Sequence, residues 1–231
     1  MRVTVARAGI EKVDSRSWFP VQKTTMNYTR LYLIRHGQIK GHELKQYIGQ
    51  TDVGLTDLGR AQMEAVSREL ADKNLAAVYS SDLERSQYGA ELIAREQNVE
   101  AQAMPVFREI DFGRWERLTH AEIKVKFPEE TAGSIHDRIE FRFGGAESRQ
   151  ELWDRANTAI RELARKHAGQ EIALVAHSGV NRVILLQAMG SHPESFFSLA
   201  QDHGCLNIID FYAHGPARVQ LINGPNKVQG M

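Results

Sequence analysis

The run Arg30-Leu31-Tyr32-Leu33-Ile34 is apolar and β-prone, has the length of a strand, and breaks off at Arg35-His36-Gly37. Glycine permits the tight turn by which a strand leaves a sheet edge. Arg35 and His36 are therefore predicted at the carboxyl end of a strand, where open α/β sheets hold their ligands. A guanidinium fork matches phosphate oxygens, and a neutral imidazole beside it is a competent nucleophile. A buried Arg-His pair held by ordinary hydrogen bonds reads the same in isolation. The decision rests on what the rest of the chain places beside it.

Strand and helix signals alternate from there on. Thr56 is a plausible N-cap for a helix carrying Met63, Val66 and Leu70 on one face. Leu75–Ser80 reads as a second strand, followed by a helix through about Gln97 that Ser81 or Asp82 is placed to cap. Arg85 then falls in its first turn. Val99–Met104 reads as a third strand stopped by Pro105, and Thr119–Phe127 as a short helix stopped by Pro128. Residues 129–145 have no clean period, as expected of a lid or binding loop. Ala146–His167 is amphipathic, Glu171–Ala176 is the strongest strand of the chain, and it ends in His177-Ser178-Gly179. A helix over about Val180–Met189 and an antiparallel hairpin of Cys205–Tyr212 with Arg218–Ile222 complete the pattern. The predicted fold is α/β: three αβα layers, a mostly parallel sheet and a C-terminal antiparallel hairpin. Residues 1–28 read as an arm, with Trp18 and Phe19 as its apolar anchors, and 29–231 as a single domain with a lid insertion at about 112–146.

Formal net charge is +0, which argues against broad electrostatic binding of nucleic acid or anionic membranes. Cys205 is the single cysteine, so no disulfide forms within the chain, and a reducing, cytoplasmic setting is expected. In a Leu/Ile-rich strand it reads as a small core residue. No apolar run reaches membrane-spanning length.

Strand order then brings four residues to one sheet edge: Arg35 and His36, Arg85, and His177. Together they form a cationic crevice able to hold the equatorial oxygens of a phosphoryl group in transfer, with no metal required. A metal site on His36, His42 and His177 is the competing reading, and the adjacent arginines oppose it by repelling a cation.

Arg35-His36-Gly37, Leu55-Thr56 with Gly59, Ser81-Asp82-Leu83 with Arg85, Glu109 ahead of Phe112-Gly113-Arg114-Trp115-Glu116, and His177-Ser178-Gly179, taken in order, resemble the histidine phosphatase superfamily. The likeness is to the phosphatase branch of its phosphoglycerate mutase-like group and spans Arg30 to Tyr212. It implies that His36 is the nucleophile that becomes phosphohistidine, and that Arg35, Arg85 and His177 hold the phosphoryl oxygens. It implies that Glu109 protonates the leaving oxygen and then activates water, with Asp111 and Glu116 as nearby rivals for that task. No cofactor is implied. Gln38, His42, Arg114 and Ser178 are expected in substrate binding, with Trp115 beside Arg114. The chain departs from the common pattern at Gln38-Ile39, His42 and Arg117.

The resulting expectation is a metal-independent phosphatase for a small-molecule phosphate ester, with α-ribazole 5′-phosphate as the specific candidate. A phosphoglycerate mutase and a non-catalytic phospholigand-binding protein are the alternatives. Neither nucleic acid nor membrane is expected as a partner, and a homodimer is left open.

Overall fold

A computed structural model describes residues 26–131, 139–226 and 228. The expected N-terminal arm, with Trp18 and Phe19, lies outside them as far as residue 25, as do residues 132–138 of the lid insertion. In chain order the elements are β1 (Tyr28–Arg35), α1 (Asp57–Leu70), β2 (Leu75–Ser80), α2 (Glu84–Glu96), β3 (Ala101–Ala103), α3 (His120–Lys126), α4 (Pro128–Thr131), α5 (Arg149–Lys166), β4 (Glu171–Ala176), α6 (Ser178–Ala188), β5 (Leu206–Tyr212) and β6 (Arg218–Gly224).

The sheet runs β3-β2-β4-β1-β5-β6. β1, β2, β3 and β4 are parallel, while β5 runs antiparallel to both β1 and β6. Side chains alternate across a strand, so β1 feeds two cores at once. Leu31 and Leu33 join Leu174, Leu152, Ile160 and Val183 under α5 and α6. Tyr32 and Ile34 join Val78, Val175, Met63, Val66 and Ile93 under α1 and α2. Both faces of the sheet are covered, which is why β1 and β4 read as nearly unbroken apolar runs. This is the expected three-layer arrangement with its antiparallel C-terminal hairpin.

The helix starts follow local chemistry where the site leaves it free. The Thr56 hydroxyl accepts from Gly59 N–H at 3.0 Å. Ser148 and Glu151 form a reciprocal capping box that starts α5 three residues later than the periodicity suggested. α2 is different: its N-cap is Leu83 and no side chain caps it. Ser81 bonds His177 at 2.7 Å instead, and Asp82 pairs with Arg108. β3 is only three residues long, shorter than the expected strand, and α6 begins at Ser178, directly after His177.

Trp115, expected at the ligand, is fully buried. Its ring packs against Tyr47, Phe141 and Phe143, and its indole N–H donates to Glu130 at 2.7 Å. It ties Glu130, Phe141 and Phe143 to the core, because a ring this large gains more from burial than from a wet cleft.

Two glycines let the loop after β1 lie directly on α1. A Cβ at Gly37 would overlap the Gly59 carbonyl, and one at Gly59 would overlap the Gln38 carbonyl. Gly59→Ala is therefore expected to lower stability by about 1–3 kcal/mol. It should also reduce activity, because relief of the clash moves the backbone next to His36. Urea denaturation and turnover of the same variant check both effects.

Candidate active site

Parallel pairing sets Arg35 opposite Ala176 and Ser80 opposite Val175. The next residues, His36, Ser81 and His177, consequently leave the sheet side by side. His36 is held on both sides by backbone: its N–H donates to the Ala176 carbonyl at 3.0 Å and its carbonyl accepts from Gly204 N–H at 3.1 Å. The His36 and His177 rings lie 5.1 Å apart, centre to centre.

The hydrogen bonds determine which ring nitrogens are free. His36 Nδ1 lies 2.7 Å from the Gly37 carbonyl, which can only accept. Nδ1 therefore carries the proton, and Nε2 keeps its lone pair. On His177, Nε2 faces the hydroxyls of Ser81 at 2.7 Å and Ser86 at 3.2 Å, while Nδ1 is buried and has no partner. A serine hydroxyl both donates and accepts, so these contacts are met by either tautomer of His177; when Nε2 accepts, Nδ1–H is a free donor. Burial, followed by the charges of Arg85, His177 and Arg35, holds His36 well below the ordinary imidazole range. Burial, then Arg85 and Arg35, does the same to His177. Both rings are neutral at physiological pH.

The two arginines are anchored to neutral groups rather than to carboxylates. Arg35 donates to the Gln201 carbonyl at 2.5 Å and to His203 Nε2 at 3.0 Å. Arg85 donates to the carbonyls of Gly49 at 2.5 Å and Thr51 at 2.9 Å. Each Nε is buried without a partner. Arg30, Arg108 and Arg155, by contrast, pair with Asp210, Asp82 and Glu147. Arg35 and Arg85 thus keep unneutralised charge for an incoming anion.

Glu109 is buried and sits at the start of α6, where both of its oxygens accept from Gly179 N–H at 3.0 and 3.1 Å. The Arg155 guanidinium holds its backbone carbonyl at 3.2 Å. The rival carboxylates are otherwise engaged. Glu116 accepts from Gly49 N–H at 2.9 Å, Gln50 N–H at 3.0 Å and the Thr51 hydroxyl at 2.6 Å, bracing the carbonyls that hold Arg85. Asp111 accepts from Gly113 N–H at 2.8 Å.

Of the remaining expected residues, Gln38 and His42 meet at 3.0 Å, and the Thr56 hydroxyl donates to the Gln38 side-chain oxygen. Ser178 lines a cleft of about 580 Å³ together with Glu109. Arg114 does not line that cleft: it pairs with Glu130 and lies over the Phe127 ring at 5.0 Å. Sequence reasoning missed His203. Its ring is 5.7 Å from that of His36, its Nε2 accepts from Arg35, and burial with Arg35 and His42 takes it down to about 3. An antiparallel strand enters a sheet at the edge where its parallel neighbours leave, so residues just before β5 belong to this site. That signal was present in the predicted hairpin.

The histidine phosphatase superfamily (branch 1) profile matches residues 31–224. The chain belongs to the histidine phosphatase superfamily. Phosphoserine phosphatase 1 of Hydrogenobacter thermophilus is 27% identical over 180 residues, covering 78% of this chain and 85% of that protein. A metal-independent phosphoserine phosphatase of Arabidopsis thaliana is 30% identical over 185 residues, covering 78% of each. The crystal structure of the α-ribazole phosphatase from Shigella flexneri superposes with TM-score 0.78 at 27% identity, covering 84% of this chain and 96% of that one. This histidine phosphatase has the phosphoglycerate mutase-like fold, and its kinship makes it a phosphoric monoester hydrolase.

Three neutral histidines give the histidine phosphatase a defined acid response. His36, His177 and His203 titrate lower in the fold than an unfolded imidazole near 6.5. Below pH 6.5 the unfolded chain takes up protons that the folded chain refuses, so stability falls as pH falls. Each ring steepens the fall, toward a limit of about 1 kcal/mol per pH unit once the unfolded imidazole is protonated. Unfolding midpoints measured from pH 7.5 to 5 should drop accordingly. Nitrogen NMR should still show His36 as the neutral Nδ1–H tautomer at pH 5.5.

Proposed function

We propose that the enzyme hydrolyses a small-molecule phosphate monoester without a metal, through a phosphohistidine on His36. The observation that carries this reading is the hydrogen bond from His36 Nδ1–H to the Gly37 carbonyl. It leaves the Nε2 lone pair beside Arg35, Arg85 and His177.

The ester phosphate binds where the two guanidinium groups and the free Nδ1–H of His177 converge. His36 Nε2 attacks phosphorus, and the bond from phosphorus to the ester oxygen breaks. The arginines stabilise the charge on the equatorial oxygens throughout. Glu109 delivers a proton to the departing alkoxide, which is otherwise a poor leaving group. A water then attacks the phosphohistidine, Glu109 takes the water proton, and His36 leaves as neutral imidazole. The acid and base step is worth roughly 10²–10⁴-fold.

In this reading Phe112 and Phe143, which line the cleft, serve as its cover. The relatives' names bring two substrates to test, α-ribazole 5′-phosphate and phosphoserine. The buried free thiol of Cys205 fits a reducing, cytoplasmic setting.

Hydrolysis of p-nitrophenyl phosphate should persist in excess chelator and vanish in His36→Ala. Glu109→Gln should slow turnover by about 10²–10⁴-fold and lengthen the life of an acid-labile phosphoenzyme trapped by rapid quench. Near-wild-type turnover by His36→Ala would sink the proposal. Phosphate transfer between phosphoglycerates that outpaces hydrolysis would make the enzyme a mutase, and tight phosphate binding without turnover would make it a binding protein.

A further inference from the structure

The cleft beside Glu109 has more chemistry than a phosphate alone requires. Its walls include the rings of Tyr47, Phe112, Phe143 and Phe196, and Arg182 reaches into it from α6. Tyr47 and Phe112 pack edge to face at 5.0 Å, and Phe112 and Phe143 at 5.5 Å, so the apolar wall is built and continuous.

Arg182 is half-buried and is held at two points. Its Nε donates to the Leu199 carbonyl at 2.7 Å, and its guanidinium lies 5.3 Å from the centre of the Phe196 ring. Neither contact neutralises it, and the Glu109 carboxylate, which lines the same cleft, acts on it through space without pairing with it. Among the described residues no carboxylate pairs with it, and neither terminal nitrogen has a hydrogen-bond partner. A guanidinium fixed through Nε and stacked on a ring presents its two remaining nitrogens as a fork in one orientation. That is a receptor for an anion, set in an apolar wall.

The mechanism above uses the charges of Arg35 and Arg85 for the phosphate, and leaves Arg182 without a task. Arg182 stands five residues beyond His177, which the helical rise converts to about 7.5 Å along α6. On the phosphohistidine reading the phosphate sits at the His177 end of that span, and the departing alcohol is directed along it past Ser178 and Gly179, which line the cleft with Arg182.

We propose that Arg182 is a second anion site. The enzyme thereby selects phosphate monoesters whose alcohol combines an aromatic or apolar face with a second anionic group, a carboxylate or another phosphate. The assignment of the alcohol to this span rests on the phosphohistidine reading of His36. A small polar alcohol leaves the ring wall wet, and a neutral one leaves Arg182 unpaired in a partly dry cleft. Both lose binding for stated physical reasons.

Affinity can be read without turnover. Calorimetric titration of His36→Ala with 4-carboxyphenyl phosphate and with phenyl phosphate compares two ligands differing only in the second anion. The carboxylate ester is expected to bind about tenfold more tightly, as a charge-assisted bond should provide. Adding Arg182→Met should bring that ratio to about one. A straight-chain phosphate ester with a terminal carboxylate should bind about tenfold more weakly than the aromatic acid. Equal binding of the two aromatic esters, or an unchanged ratio after Arg182→Met, overturns the anion site. Equal binding of the straight-chain and aromatic acids overturns the apolar requirement. Wild-type turnover of 4-carboxyphenyl phosphate separates the two ideas. If turnover is present and the esters bind alike, only the anion site falls. If turnover is absent and the preference survives, the phosphatase reading falls and the anion site stands.

Discussion

Parallel pairing of β1 with β4 sets Arg35 opposite Ala176, and the site depends on that register. A slip of one residue would turn Leu31 and Leu33 into the core that now receives Tyr32 and Ile34, and would withdraw His36 from His177. The register is held by two different cores, one under α1 and α2 and one under α5 and α6. Chemistry at the sheet edge is therefore secured by apolar packing some distance away from it. The loop after β1 is further pinned where Gly37 and Gly59 touch backbone to backbone.

Burying two guanidinium groups and two imidazoles in one crevice is electrostatically costly. The protein meets that cost in two ways. Arg35 and Arg85 are solvated by main-chain carbonyls and by His203, which fixes their geometry without cancelling their charge. The imidazoles stay neutral, so they add hydrogen-bonding groups and a free lone pair without adding like charge. The arginines with structural tasks follow the opposite rule and pair with carboxylates. What an arginine is bonded to thus separates its two uses in this fold.

Support for the groups at the sheet edge comes from residues set behind them. Glu116 braces the backbone of Gly49, Gln50 and Thr51, and two of those carbonyls orient Arg85. Arg155 on α5 joins Glu147 to the backbone on which Glu109 rides. Ser81 gives up the capping of α2 to orient His177. These are departures from local rules at places where the site imposes its own demand.

The alternation of apolar strands with amphipathic helices, and the chemistry-bearing residues at strand ends, determined the layered fold and brought Arg35, His36, Arg85 and His177 to one edge. This was legible because strand period, parallel direction and the abrupt stops at Arg-His-Gly and His-Ser-Gly are local properties of the chain. Contacts between segments distant in sequence were not. Trp115 lies in the core rather than at the ligand, and Arg114 pairs with Glu130, because the fold brings Glu130 against both. His203 and Arg182 carry no motif, and their place in the site depends on how β5 pairs with β1 and how α6 lies along the cleft. Whether Glu109, Asp111 or Glu116 faces the crevice was likewise decided by which backbone amides each carboxylate accepts. Only tertiary packing supplies those amides.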